Sequence, residues 1–180
     1  MSDLQEKTLI AAVRDGDSEQ YRFFVDRYHR GLILHLYRMT NNKQTAEDLA
    51  QEAFLRAYTK LSKYDDNYSF STWLYKIADN LAYRQLKKHR PTSDLESLVE
   101  IIPDDKPSLG EMADKELSKH AVRRAIKKLP PDYQQVVSLF YWDDFSYEEI
   151  SEITGRPIGT IRTWLFRAKE ILRKDLYGQI

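Results

Sequence analysis

Between Tyr21 and Met39 the apolar side chains fall three and four residues apart, at Tyr21, Phe24, Val25, Tyr28, Leu32, Leu36 and Met39. That period lines one face of an α-helix, so the chain must build its core by burying helix faces. The same spacing occurs upstream, where Leu9, Ile10 and Val13 precede Gly16, a natural C-terminal stop, and Ser18 is placed to cap the long helix. Asn41 and Asn42 end that helix. Thr45 and Asp48 have capping-box spacing for a third, expected to run to about residue 60. After the loop YDDNYSFS, Leu74, Ile77, Ala78, Leu81 and Gln85 form the stripe of a fourth helix, expected over residues 71–89 because Pro91 prevents its continuation. Residues 1–90 therefore read as a four-helix domain.

Residues 91–118 break the pattern. They hold three prolines, eight acids and no sustained periodicity, the composition of a flexible acidic linker. Beyond them, residues 119–180 form a second domain. A helix rich in Lys and Arg ends near Leu129, and Pro130, Pro131 and Asp132 open another, with Pro131 suited to a first helical turn. Ser146 and Glu149 make a second capping box. It opens the short helix SYEEISEITG, which Gly155 closes, and RPIG leads into GTIRTWLFRAKEILRKDL. A capped short helix, a glycine-bearing turn and a longer basic helix make the layout of a helix-turn-helix. The fold class read from these patterns is all-α: two helical domains joined by an acidic linker.

Lys and Arg together number 28, as do Asp and Glu, yet the zero net charge hides a partition. By segment, basic against acidic residues count 15 to 12 over 1–90, 2 to 8 over 91–118 and 11 to 8 over 119–180, or +3, −6 and +3. This suggests two binding modules and a connector. Cysteine is absent, which excludes disulfides, thiolate zinc sites and thiol redox sensing. The histidines at 29, 35, 89 and 120 have no metal-ligand spacing, and no glycine-rich phosphate loop occurs. No catalytic site, metal or cofactor is expected. No apolar run approaches the roughly 20 residues that span a bilayer, and the acidic start lacks the features of a signal peptide. The expectation is a cytoplasmic protein that is not itself in the membrane.

Three helix faces carry the functional reading. In the last helix Ile161, Leu165, Ala168 and Leu172 share an apolar stripe, leaving Arg162, Thr163, Phe166, Arg167 and Arg173 to point away from the core, with Lys169 among the candidates. Arginine can grip guanine or phosphate, and a threonine methyl or phenylalanine ring can meet a thymine methyl. The same residues on an isolated helix would fit a solvated basic face. In the third helix Leu49, Ala50, Ala53, Phe54, Ala57 and Leu61 face inward, while Asp48, Gln51, Glu52, Leu55 and Thr59 face out. A leucine beside carboxylates suits a basic protein partner, or is a stray on a solvated face. The third surface combines Tyr64, Tyr68, Phe70, Trp73 and Tyr75 with Asn80, Tyr83, Arg84, Lys87, Lys88 and Arg90. Rings beside cations suit single-stranded DNA. Phe70 and Trp73 are assigned mainly to packing, and Asn80, Tyr83 and Lys87 to the outward face. Asp79 is expected there too, where it would repel phosphate.

On the residues alone, a free-standing helix-turn-helix regulator and a helical adaptor for acidic proteins remain open. The segments AEDLAQEAFLRAY, FSTWLYKIADNLAYRQLKK and SYEEISEITGRPIGTIRTWLFRAKE, in this order and spacing, resemble the extracytoplasmic-function (ECF) sigma factors, over about residues 9–176. The resemblance implies a subunit that binds RNA polymerase core and directs promoter-specific initiation. It implies clamp docking through Asp48, Gln51 and Glu52, with Leu55 beside them. It implies capture of flipped bases of the −10 non-template strand by the loop at 64–71, with Tyr64, Asp66, Asn67 and Tyr68, and by the face of Asn80, Tyr83, Arg84 and Lys87. It implies −35 duplex reading at Arg162, Thr163, Phe166 and Arg167, contact of the same domain with the polymerase flap, and an anti-sigma partner by family habit. Trp164 and Asp79 depart from the residues common in the family. The linker resembles the family's channel-threading connector, and its 28 residues reach roughly 90 Å at ~3.3 Å each, against about 70 Å for two turns of duplex.

Overall fold

The structure, a computed structural model, describes residues 3–89 and 119–177, and every regular element among them is helical. The helices form two compact units. The expected linker, residues 91–118, lies outside the described residues.

The first unit is built from α1 (Asp3–Arg14), α2 (Tyr21–Thr40), α3 (Lys43–Thr59) and, as far as Gln85, α4 (Phe70–His89). Gly16 takes φ 106°, a left-handed turn that glycine adopts without strain. Ser18 does not cap α2. Ser18–Gln20 form a 3-10 turn that continues into the helix, and Gln20 already has helical angles, so no extended residue precedes α2 for a hydroxyl to serve. The two asparagines divide the next junction. Asn41 is left-handed at φ 53° and closes α2 with its N–H on the Tyr37 carbonyl at 2.8 Å. Asn42 is extended and caps α3, its Oδ1 accepting from the Thr45 N–H at 3.0 Å. The expected Thr45 and Asp48 box is therefore not formed. The helix starts earlier, at a better cap, and Asp48 accepts instead from the Gln44 amide at 2.9 Å.

The inward stripe of α3 is buried as expected, from Leu49 through Ala57 and on to Leu61. Its alanines let α2 approach closely, and the Tyr21 hydroxyl donates to the Phe54 carbonyl at 2.8 Å. Burial pushes the Tyr21 phenol above its usual range. Phe70, wholly buried, joins three elements: its ring lies 4.2 Å from Phe24 on α2, 6.1 Å from Tyr64 in the loop and 5.9 Å from Trp73 on α4.

Asp79 corrects the sequence reading. It is wholly buried, 2.8 Å from the His35 ring of α2, with the Tyr75 ring 5.2 Å from that imidazole. Thr72, Tyr75, Asp79 and Ala82 form a second buried stripe on α4, turned toward α2 rather than solvent. The Asp79 carboxylate therefore does not share the outward face with Asn80.

The second unit is centred on α5 (Lys119–Lys128), α6 (Pro131–Tyr141), α7 (Tyr147–Thr154) and α8 (Ile158–Tyr177). The Gln134 amide donates to the carbonyls of Leu129 and Lys127, at 2.7 and 3.2 Å, and so satisfies acceptors that the end of α5 leaves open. Pro131 occupies the first turn of α6 as expected. Both halves of the Ser146 and Glu149 capping box are present, and Gly155 ends α7 at φ 69°. The Ser151 hydroxyl then donates to the Arg156 carbonyl at 2.6 Å, which pins the turn into α8.

Candidate nucleic-acid interface

Ile161, Leu165, Ala168 and Leu172 bury the inner stripe of α8, and Trp164 joins them at 4% exposure. The Trp164 ring lies 6.3 Å from Tyr133, with the Arg156 guanidinium 5.5 Å over it, so Trp164 serves packing rather than the outward face. Phe166 is 46% exposed, Arg173 is exposed, and Arg167 and Lys169 are half-buried. Thr163 is a correction: it is 5% exposed, and its hydroxyl donates back to the Gly159 carbonyl at 2.9 Å. A helical threonine satisfies itself in this way and loses its donor to a partner. Arg162 is half-buried, its guanidinium 5.2 Å from the Tyr147 ring centre, and that ring stacks within 4° of parallel on Phe140 at 5.0 Å. The stack orients a planar cation before any ligand arrives.

The loop between α3 and α4 presents Asp65, Asp66, Asn67 and Tyr68 to solvent. Two short-range bonds help hold it: the Asn67 N–H donates to the Asp65 carboxylate at 3.0 Å and the Tyr68 N–H to the Asp65 carbonyl at 3.2 Å. Tyr64, expected as a contact, is instead buried, its ring 5.1 Å from Trp73 and its hydroxyl donating to the Tyr68 carbonyl. It shapes the loop rather than offering a ring to a base. An open cleft of about 870 Å³ adjoins the loop, lined by Lys7, Arg14, Tyr58, Tyr64, Asp66 and Asn67 among others. Asn80, Tyr83 and Arg84 do not line it. On α4, Asn80 and Arg84 are exposed and Tyr83 half-buried, and the Asn80 amide donates to the Lys76 carbonyl at 2.7 Å. The side chain of Lys87 lies outside the described residues.

The outer face of α3 is as expected. Asp48 and Gln51 are exposed, Glu52 is half-buried and paired with Arg56 one turn on, and Leu55 is 63% exposed. With Tyr21, Val25, Phe54 and Tyr58, Leu55 lines a shallow groove of about 500 Å³.

One residue escaped the sequence reading. Arg14, at the end of α1, donates from Nε to the Leu61 carbonyl at 3.1 Å, from Nη2 to the Tyr64 carbonyl at 2.6 Å and from Nη1 to the Asp66 carboxylate at 3.3 Å. Its local signal is only a cation in the last turn of a helix, where the dipole already favours one.

Likeness to known proteins extends over both units. The Sigma-70 region 2 family matches residues 24–92 and the Sigma-70, region 4 family residues 119–172. The ECF RNA polymerase sigma factor SigW of Bacillus subtilis is 37% identical over 97% of this chain and 98% of its own length. In fold, CnrH, solved with the cytosolic domain of CnrY, gives a TM-score of 0.72 at 19% identity, covering 97% of this chain and 99% of that one. RpoE of Bartonella quintana, solved with the anti-sigma factor NepR, gives 0.66 at 24% identity, covering 88% and 97%.

Proposed function

We propose a division of labour that starts from one premise: this chain belongs to the ECF sigma factors of the sigma-70 family and serves promoter-specific transcription initiation. Residues 1–90 dock on the polymerase clamp through Asp48, Gln51, Glu52 and Leu55. They take the melted −10 non-template strand with Asp66, Asn67 and Tyr68 of the loop and with Asn80, Tyr83, Arg84 and Lys87 of α4. Residues 119–180 read the −35 duplex through Arg162, Phe166, Arg167, Lys169 and Arg173 and touch the flap. The connector, residues 91–118, carries −6 and is attracted to the polymerase's basic channel. The protein works in the cytoplasm and leaves the chemistry of chain synthesis to the core. An anti-sigma partner is supported by the likeness to RpoE, which was solved with one.

The observation that carries this reading is the loop itself, in which four consecutive exposed side chains stand on a braced turn beside an open cleft. Acids, an amide and a phenol supply donors and acceptors for a base edge. Extracting a base from duplex costs a few kcal/mol, a cost absent in single strand. Holoenzyme should therefore prefer one −10 sequence on forked DNA with a single-stranded non-template arm, and discriminate little on closed duplex. Asn80→Ala should reduce discrimination more than total binding, and Lys87→Ala the reverse. Equal binding to both DNA forms, without sequence preference, would sink the strand-capture assignment.

A further inference from the structure

Arg14 lies outside every motif that points to DNA or polymerase, yet its side chain is committed to the loop. All three nitrogens of its guanidinium reach one short segment: two carbonyls, of Leu61 and Tyr64, and one carboxylate, of Asp66. The cation also lies 5.7 Å over the Tyr64 ring. The planar fork thus fixes the exit of the 3-10 turn Leu61–Lys63, the ring that roofs the loop and one of its acids together. Asp65 and Asp66 would otherwise place two uncompensated negative charges where a phosphodiester must pass. Pairing at 3.3 Å turns the Asp66 carboxylate toward Arg14 and offsets its charge.

We propose that Arg14 is a positioning residue: it sets the shape and charge of the loop at 64–69, and through it the choice of the base the loop accepts. The proposal rests on the strand-capture reading and adds a residue from α1 to it. Lysine would preserve the charge, but its three N–H bonds leave a single nitrogen, so it cannot reproduce the planar fork that spans acceptors at residues 61, 64 and 66.

Two measurements on the full-length protein test this. The first is amide hydrogen exchange on the free chain. Arg14→Ala and Arg14→Lys should each speed exchange at residues 64–69 by about tenfold, leaving α2 and α3 as protected as before. The second uses holoenzyme with forked DNA whose single-stranded non-template arm carries either the wild-type-selected −10 sequence or its scrambled version. Both variants should lower the ratio of the two affinities by about tenfold, with the scrambled arm bound nearly as well by Arg14→Lys as by wild type. Unchanged loop exchange overturns the proposal, as does protection lost throughout α2 and α3, which would make Arg14 a general stabiliser. Full discrimination by Arg14→Lys overturns it too, since charge alone would then suffice. A uniform loss on both arms means a phosphate contact and also overturns it. If the loop loosens and discrimination holds, Arg14 has no positioning role while strand capture stands; if wild type itself shows no preference, strand capture falls and takes this proposal with it.

Discussion

The helix α8 and the loop between α3 and α4 both hold side chains out to solvent, but they are braced by different means. The start of α8 is set locally, by the box at Ser146 and Glu149, the left-handed Gly155 and the Ser151 bond to Arg156. More distant contacts, Tyr133 on Trp164 and Lys128 on Asp175, only hold its length. The loop depends on distant partners, with Arg14 reaching 47 to 52 residues along the chain and the Phe70 ring tying Tyr64 to Phe24 of α2. On the proposed roles, the difference follows the two shapes of DNA. Duplex is regular, so a stiff rod with fixed side-chain spacing fits its groove. An unpaired strand has no regular shape, and an irregular backbone that meets it must be imposed by tertiary contacts.

The largest expected effect lies outside both regions and separates docking from reading. Leu55→Arg or Glu52→Arg should abolish capture by polymerase core in a pull-down while circular dichroism and DNA-facing surfaces stay unchanged. Undiminished core affinity in both variants would remove the clamp assignment. Next comes the bracing of the first unit. Asp79→Ala leaves His35 buried without this partner and should cost about 1.5 to 3 kcal/mol in denaturant unfolding. Protection in α8 should survive, and a loss of α8 protection equal to that of α4 would break the contrast between the two regions. Smallest are the changes on α8. Arg162→Ala or Arg167→Ala should weaken upstream duplex binding by about 1 to 3 kcal/mol, at one base pair if the contact is to a base and with a flatter salt slope if to phosphate. Tyr147→Leu, which removes the ring beneath Arg162, should cost about 0.5 to 1 kcal/mol in the same titration, and Tyr147→Phe almost nothing.

What could be read from the sequence follows the same line. The helical fold, the buried stripes of α3 and α8, the outward Leu55 and Phe166 and the Ser146 box are all set by spacings within a few residues, so the pattern displays them. The Thr45 box failed because Asn42, a competing cap, begins the helix sooner. Thr163 was misplaced because helix geometry alone does not show that its hydroxyl turns back to Gly159. Asp79 and Arg14 were missed because their partners lie 44 and 47 to 52 residues away, and no local period encodes such a distance. A polar residue interrupting an apolar stripe was the available clue for the buried pair, since His35 sits between Leu32 and Leu36.

The junction at Asn41 and Asn42 also bears on the order in which the chain folds. Joining α2 to α3 through two residues makes their closure entropy small, whereas Arg14 must close a separation of 47 residues to reach Leu61. The helical hairpin can therefore condense early, as part of the folding nucleus, and the clasp on the loop sets late, after the rate-limiting step. Contacts made after that step act on the unfolding rate and hardly touch the folding rate. The loop is thus expected to take form after the hairpin, with φ-values near zero at Arg14 and higher ones at the contact of α2 with α3.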